Sequence, residues 1–242
     1  MKTRTDLLAE QPFSLSLSSG FFGYFAHVGF ALALEDKGLK PASLSGSSAG
    51  ALVAAGLASG RSASELKEIF LSIRKSDFWD PAWGWGFLKG QKIEELLGQY
   101  CVSNFTDTHI PLHISAFNIN KQKTKVFTSG LIAPACRASA AVPVLFHPVQ
   151  IEGEYFWDGG IRDRAGVQGV QSSSLTPVIH YLHAQGLVSR IEDKYFYAKL
   201  HKNPFFFKRP SPHKMGPESL DKGKDVLELF HRQTQQWLEE KI

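Results

Sequence analysis

Apolar and polar residues alternate along Phe13-Ser14-Leu15-Ser16-Leu17-Ser18, the period of two that belongs to a β-strand. A turn, Ser19-Gly20-Phe21-Phe22-Gly23, follows. The period then lengthens to that of a helix over 24–36, with Val28, Ala31, Leu32 and Leu34 apolar and Gly38 as the stop signal. A second short strand over 42–45 meets Gly46-Ser47-Ser48-Ala49-Gly50, and a helix of small residues over 49–58 comes after it. Strand, glycine turn and helix, repeated, is the rhythm of a parallel α/β sheet. Ser62-Ala63-Ser64-Glu65 reads as a capping box opening another helix, with Leu66, Ile69, Phe70 and Ile73 at helical spacing.

Further along, 77–90 is aromatic and rich in turn residues, and a helix is expected over 92–100. Residues 113–118 and 125–128 read as strands joined by a basic tip, and 135–141 as a small-residue helix ended by Pro143. A hairpin over 150–157 leads into Asp158-Gly159-Gly160. The last helix, about 219–241, carries Val226, Phe230, Gln233 or Thr234, and Trp237 on one face. Nothing in the pattern marks a linker or a repeat. The expectation is one α/β domain over 1–242, a three-layer α/β/α arrangement around a mostly parallel central sheet.

Composition narrows the class. At 242 residues, 43% hydrophobic and 21% charged, the chain can bury a core without disulfide or metal staples. No apolar run reaches the roughly 18 residues of a membrane span, and the basic start is not followed by a signal-peptide apolar core. Cys101 and Cys136 lie far apart and read as two buried thiols of a cytoplasmic protein. The net charge of +4 is dispersed, with its densest cluster at Lys121, Lys123 and Lys125, so nucleic acid is not the expected partner. Aromatic content is 12%, with 18 Phe and 5 Trp, and only its distribution can be informative.

The chemistry begins at Gly46-Ser47-Ser48-Ala49-Gly50, a G-x-S-x-G sequence between a strand and a helix. Such a sharp turn lifts a serine hydroxyl above the sheet edge, over a helix N-terminus that favours developing negative charge. A serine nucleophile also needs an oxyanion hole and a base. The turn 18–23, likewise between strand and helix, can present unpaired backbone N–H groups. None of the nine histidines stands where a triad histidine would; His180 and His183, i and i+3 on an expected helix, read as surface or core residues rather than metal ligands. Asp158 is the better candidate, since a carboxylate pinned between an apolar strand and two glycines is partly desolvated and made more basic. Each pattern alone also describes an ordinary turn. A rival S-x-x-K, Ser64 to Lys67, is already explained by the capping box.

Together, the ordered motifs resemble the patatin-like phospholipases, which pair a glycine-rich loop, a G-x-S-x-G serine and a D-G-[GA] aspartate. The resemblance runs over about 13–163. It includes Ala26-His27-Val28-Gly29 after the loop, Phe87-Leu88-Lys89-Gly90-Gln91-Lys92 in mid-chain, Ala138-Ser139-Ala140-Ala141-Val142-Pro143, and Phe146-His147-Pro148. It implies Ser48 as nucleophile and Asp158 as base, a dyad without histidine. The amides of Gly20 and Phe21 would form the oxyanion hole, and Gly46, Gly50, Gly159 and Gly160 would be motif glycines. It implies a lipid ester as substrate, a transient membrane or micelle interface, and no metal or cofactor. A transacylase with the same dyad, or a lipid-binding module without activity, are the alternatives. Two departures stand out. Phe22 occupies the place of the family's loop cation, and Gly159-Gly160-Ile161-Arg162-Asp163 lacks the usual Asn and Pro, leaving Asp163 as a rival carboxylate. Trp79, Trp83, Trp85 and Phe87 fall where such folds place a lid or acyl groove, with core packing as the alternative, and Phe205-Phe206-Phe207-Lys208-Arg209 reads as an interfacial lipid contact or as a buried strand.

Overall fold

A computed structural model describes residues 1–171, 173–183, 203–212 and 215–242. Its elements in chain order are α1 (Arg4–Ala9), β1 (Phe13–Leu17), α2 (Tyr24–Asp36), β2 (Ser43–Ser47), α3 (Ala49–Ala58), α4 (Ala63–Ser72), β3 (Gly86–Leu88) and α5 (Gln91–Tyr100). Then follow β4 (Leu112–Asn118), β5 (Lys123–Phe127), α6 (Ile132–Ser139), β6 (Val144–Phe146), β7 (Val149–Ile151), β8 (Glu154–Trp157), β9 (Thr176–His183), β10 (Phe206–Pro210) and α7 (Gly223–Glu239). Eight strands form one sheet in the order β10-β9-β1-β2-β4-β8-β7, with β5 also on β4; β3 and β6 form a separate pair. From β10 to β4 every pairing is parallel, and β8, β7 and β5 are antiparallel additions. The fold is thus a mostly parallel central sheet flanked by helices.

The alternation along β1 places its two residue types on opposite faces of this sheet. Aligned residues of parallel strands share a face, so Leu15, Leu44, Leu112 and Val178 lie on one side, with Leu17, Ile114, His180 and Phe207 further along it. Helices cover this face: Phe30 of α2 stacks on His180 at 4.5 Å between ring centroids, and Trp237 of α7 meets Phe207 at 5.1 Å. Ser14, Ser16, Ser45, Ser47 and Ser115 share the other face. These serines are nevertheless buried, because the turns of 159–170 lie against them. Ser45 Oγ donates to the Gly166 carbonyl and Ser115 Oγ to Asp163, each at 2.6 Å. Small hydroxyl side chains let that backbone come close and satisfy part of its polar groups.

Local signals account for most helix limits. Ser62 Oγ accepts from the Glu65 N–H while Glu65 accepts from the Ser62 N–H, which completes the capping box of α4. The alanines of α3 are apolar all round, as suits a helix buried among its neighbours. Three expectations need correction. The helix expected over 135–141 runs from Ile132 to Ser139, so Pro143 lies past its end, and Pro134 is tolerated in its first turn where no amide bond is lost. His180 and His183 lie on strand β9, not a helix, so a spacing of three turns their side chains to opposite faces. The Phe triplet leads into β10 with Phe205 and Phe207 buried in the core, which favours the buried strand over the lipid contact.

Phe207→Ala should therefore lower stability by about 3–5 kcal/mol, read as a fall in urea midpoint without loss of cooperativity. A lipid-facing phenylalanine would give a change near zero.

Candidate active site

Ser48 sits between the end of β2 and the start of α3 with φ 53° and ψ −121°. A non-glycine residue at positive φ costs of order 1–3 kcal/mol and persists only where its surroundings impose it. Here they do. A Cβ on Gly46 would stand 2.6 Å from Ala51 Cα, and one on Gly50 would run into the Leu17 carbonyl, so only glycine lets α3 begin this close to the sheet. The Ser48 N–H donates to Ser139 Oγ at 2.8 Å, and Ser139 Oγ donates to the Ser115 carbonyl at 2.6 Å, tying the turn to β4 through the end of α6.

Asp158 follows β8, its N–H bonded to the Ala141 carbonyl at 2.9 Å. Its Oδ2 accepts from Ser48 Oγ at 2.6 Å, and its Oδ1 from the Gly160 N–H at 2.7 Å. Gly159 backs onto the Ser115 carbonyl and Ser47. Burial pushes the Asp158 carboxyl up from an ordinary 3.8 to about 6; the Ser48 and Gly160 hydrogen bonds and the Arg164 guanidinium hold it from rising further. Asp163, the rival carboxylate, takes no part in this contact. Its oxygens accept from Ser115 Oγ at 2.6 Å and from the Val167 and Gln168 amides, an arrangement that fixes the turn over the serine face. Ser64, the rival serine, is exposed and donates to Glu35 at 2.8 Å. Burial raises the thiols of Cys101, to about 12, and of Cys136, so neither is a ready thiolate.

The turn carrying Gly20 and Phe21 faces Ser48. Phe22 takes φ 53°, and the Gly23 N–H closes the turn on the Gly20 carbonyl at 2.7 Å. Among the described residues no acceptor takes the Gly20 or Phe21 N–H. The turn is anchored from β9: Ser18 N–H donates to the His180 carbonyl at 3.1 Å, and the Leu182 N–H donates to Ser18 Oγ at 2.8 Å. His27 Nε2 lies 2.8 Å from the Ser18 carbonyl, and His27 Nδ1 lies 2.9 Å from His180 Nδ1. A carbonyl can only accept, so His27 carries its proton on Nε2 and receives one from His180 Nδ1–H. Burial lowers both imidazoles, His27 to about 4, and keeps the pair neutral.

Two spaces meet at Ser48. A narrow apolar channel of about 100 Å³ runs inward past Phe22, Tyr24, Phe70, Leu88 and Phe146. An open mouth of about 580 Å³ is lined by Gly20, Phe21, Asp158, Ile161, Arg164 and Met215. Trp79 is half-buried in the channel wall, whereas Trp83, Trp85 and Phe87 stand outside it in solvent. All the expected site residues thus gather at one place. Reading the sequence missed Ser139, Arg164 and the buried histidine pair. Ser139 and His27 lie inside the quoted Ala138–Pro143 and Ala26–Gly29 runs, but only their contacts reveal what they hold.

Comparison with known proteins bears on the family and the fold. A family model described as patatin-like phospholipase matches residues 15–170. An uncharacterised protein of Acanthamoeba polyphaga mimivirus is 29% identical over 170 residues, covering 61% of this chain and 57% of its own. An uncharacterised NTE family protein of Mycobacterium bovis is 30% identical over 158 residues, covering 62% and 43%. The chain spans about half the length of these curated relatives. Among solved structures, VipD from Legionella pneumophila aligns with a TM-score of 0.67 at 15% identity, over 94% of this chain and 67% of that one. The type III effector ExoU aligns at 0.54 and 17%, over 96% and 54%. At such identities the likeness is one of fold.

The electrostatics of Asp158 give a stability test. A carboxyl whose pKa rises from 3.8 to about 6 on folding costs the native state about 3 kcal/mol at pH 7. The native state binds the proton more tightly, so the cost is complete above pH 6, shrinks as pH falls through 6 toward 3.8, and vanishes below. Asp158→Asn should raise the thermal midpoint at pH 7–8, with the gain fading on acidification.

Proposed function

The chain belongs to the patatin-like phospholipase family, and from that premise we propose that it is a serine-dependent lipid acyl hydrolase using Ser48 and Asp158. The observation carrying this reading is the 2.6 Å contact from Ser48 Oγ to Asp158 Oδ2 where an apolar channel meets an open mouth. The channel suits an acyl chain, and the mouth suits the alcohol half of a lipid ester. Asp158 takes the Ser48 proton as Oγ bonds to the ester carbonyl carbon. The amides of Gly20 and Phe21 receive the oxyanion. The ester C–O bond then breaks, the proton on Asp158 goes to the departing alkoxide, and the acyl group stays on Ser48. In the second half, water gives its proton to Asp158 and adds to the acyl carbon. The fatty acid leaves as the proton returns to Ser48 Oγ.

Roles follow for the supporting groups. Ser139 holds the Ser48 backbone, and the His27–His180 pair holds the turn that presents the amides. The Arg164 guanidinium adds to the Ser48 and Gly160 hydrogen bonds in lowering the Asp158 carboxyl and gives the mouth a positive charge that Phe22 does not supply.

Three measurements test the reading. On a soluble p-nitrophenyl ester, Ser48→Ala and Asp158→Asn should each lower kcat/KM on the order of a thousandfold or more, and a fluorophosphonate probe should label Ser48. Full activity in Ser48→Ala would sink the mechanism. The base works ionised, so kcat/KM should hold above pH 6 and fall about tenfold per pH unit below it; an acid limb centred near pH 4 would show that burial does not raise the carboxyl of the base.

A further inference from the structure

The segment Trp83-Gly84-Trp85-Gly86-Phe87-Leu88-Lys89 turns the usual order of burial inside out. Its glycines face the protein: a Cβ on Gly86 would run into the Phe146 carbonyl, and one on Gly84 into the His147 ring. Its aromatic residues, at every second position, face solvent, with Trp83 fully exposed, Trp85 76% and Phe87 71% exposed. Trp83 to Trp85 form a bend leading into β3, where Leu88 points inward and Phe87 outward, and Lys89 after it is also exposed. Val144, 69% exposed, completes an open depression of about 560 Å³ against these rings. An apolar face this large on the outside of a chain marks an interaction surface.

We propose that this aromatic ridge docks the protein on a lipid surface carrying anionic headgroups. Two observations favour that occupant over a protein. First, the ridge is continuous with the site. Leu88 and Phe146, on the same β3–β6 pair, line the channel to Ser48, while Val142 and Pro143, next to Val144, line the mouth. Exposed Phe21 and Ile161 extend the apolar rim across that mouth. Second, the charge beside it is positive and unspent. Lys89 and Arg162, next in sequence to the ridge and to Ile161, have no carboxylate within ion-pair distance among the described residues. Tryptophan with a flanking cation is the composition that sits at the boundary between acyl chains and headgroups. The ridge rests on the hydrolase reading only for its purpose: it would hold the mouth against the layer from which an ester is drawn.

Binding is measured in the Ser48→Ala background, so that vesicles are not consumed. Sedimentation with phosphatidylcholine vesicles, with and without phosphatidylglycerol, should show stronger binding to the anionic set and a blue shift of tryptophan emission. Replacing Trp83, Trp85 and Phe87 together by Ser should reduce partitioning to both sets by at least about tenfold with an unchanged thermal midpoint. Lys89→Glu should weaken binding to the anionic set alone. The proposal fails if the parent protein binds neither vesicle, or if the triple variant binds as the parent does. It also fails if sedimentation velocity finds a dimer that the triple variant dissolves, which would assign the ridge to a second copy. Vesicle binding, with no fluorophosphonate labelling of the protein that retains Ser48, would instead keep the docking surface and remove the hydrolase reading.

Discussion

The 2.6 Å hydrogen bond between Ser48 Oγ and Asp158 Oδ2 joins two segments 110 residues apart in sequence, and it lies where water is largely excluded. A charge in such a place is stable only if its remaining valences are met, and a short bond between distant segments survives only if both backbones are held. Much of the surrounding structure answers one of these two demands. Ser48 is held in a costly backbone conformation by the glycine contact between α3 and β1, and through its amide by Ser139. Asp158 is held by its amide bond to Ala141 and by the turn that follows it, which Asp163 and Ser115 lock to β4.

That second support explains the unusual serine content of the central strands. A parallel sheet covered on both faces usually shows strands that are apolar throughout. Here β1, β2 and β4 carry leucine and isoleucine toward the helices and serine toward the turns of 159–170. Bulky side chains on the serine face would push those turns away and carry Asp158 with them. The alternation in Phe13-Ser14-Leu15-Ser16-Leu17 therefore spells a strand correctly, yet its polar half faces packed backbone instead of water.

The parts legible in the sequence are those governed by neighbours in the chain. The capping box at Ser62, the helices from Tyr24 and Ala49, and the serine turn between strand and helix all rest on short-range geometry. What stayed hidden depends on pairings over long separations. Nothing local tells Ser139 that its hydroxyl will meet the Ser48 amide, or tells His180 that it will lie on a strand opposite His27. The Phe triplet misled because rings beside cations describe a membrane contact and a core strand equally well; strand order decided between them by placing β10 beside β9. The tryptophans near residue 80 divide for a related reason, since only the packing of Gly84 and Gly86 shows which side of that chain faces inward.

Burial also settles which side chain can serve as the proposed base. Low dielectric disfavours charge of either sign, so it raises a carboxylic acid and lowers an imidazole. At His27 it drives the pKa to about 4, which makes the ring a neutral strut whose two nitrogens are both engaged in fixing the turn that carries Gly20 and Phe21. At Asp158 it drives the pKa up to about 6, close to the value a histidine has in water. Left to burial alone the carboxyl would rise further; the Ser48 hydroxyl, the Gly160 amide and Arg164 hold it at about 6, a value that suits the proposed proton acceptor at neutral pH. The same dry interior thus shifts the two residue types in opposite directions, and the proposed mechanism has no need of a histidine base.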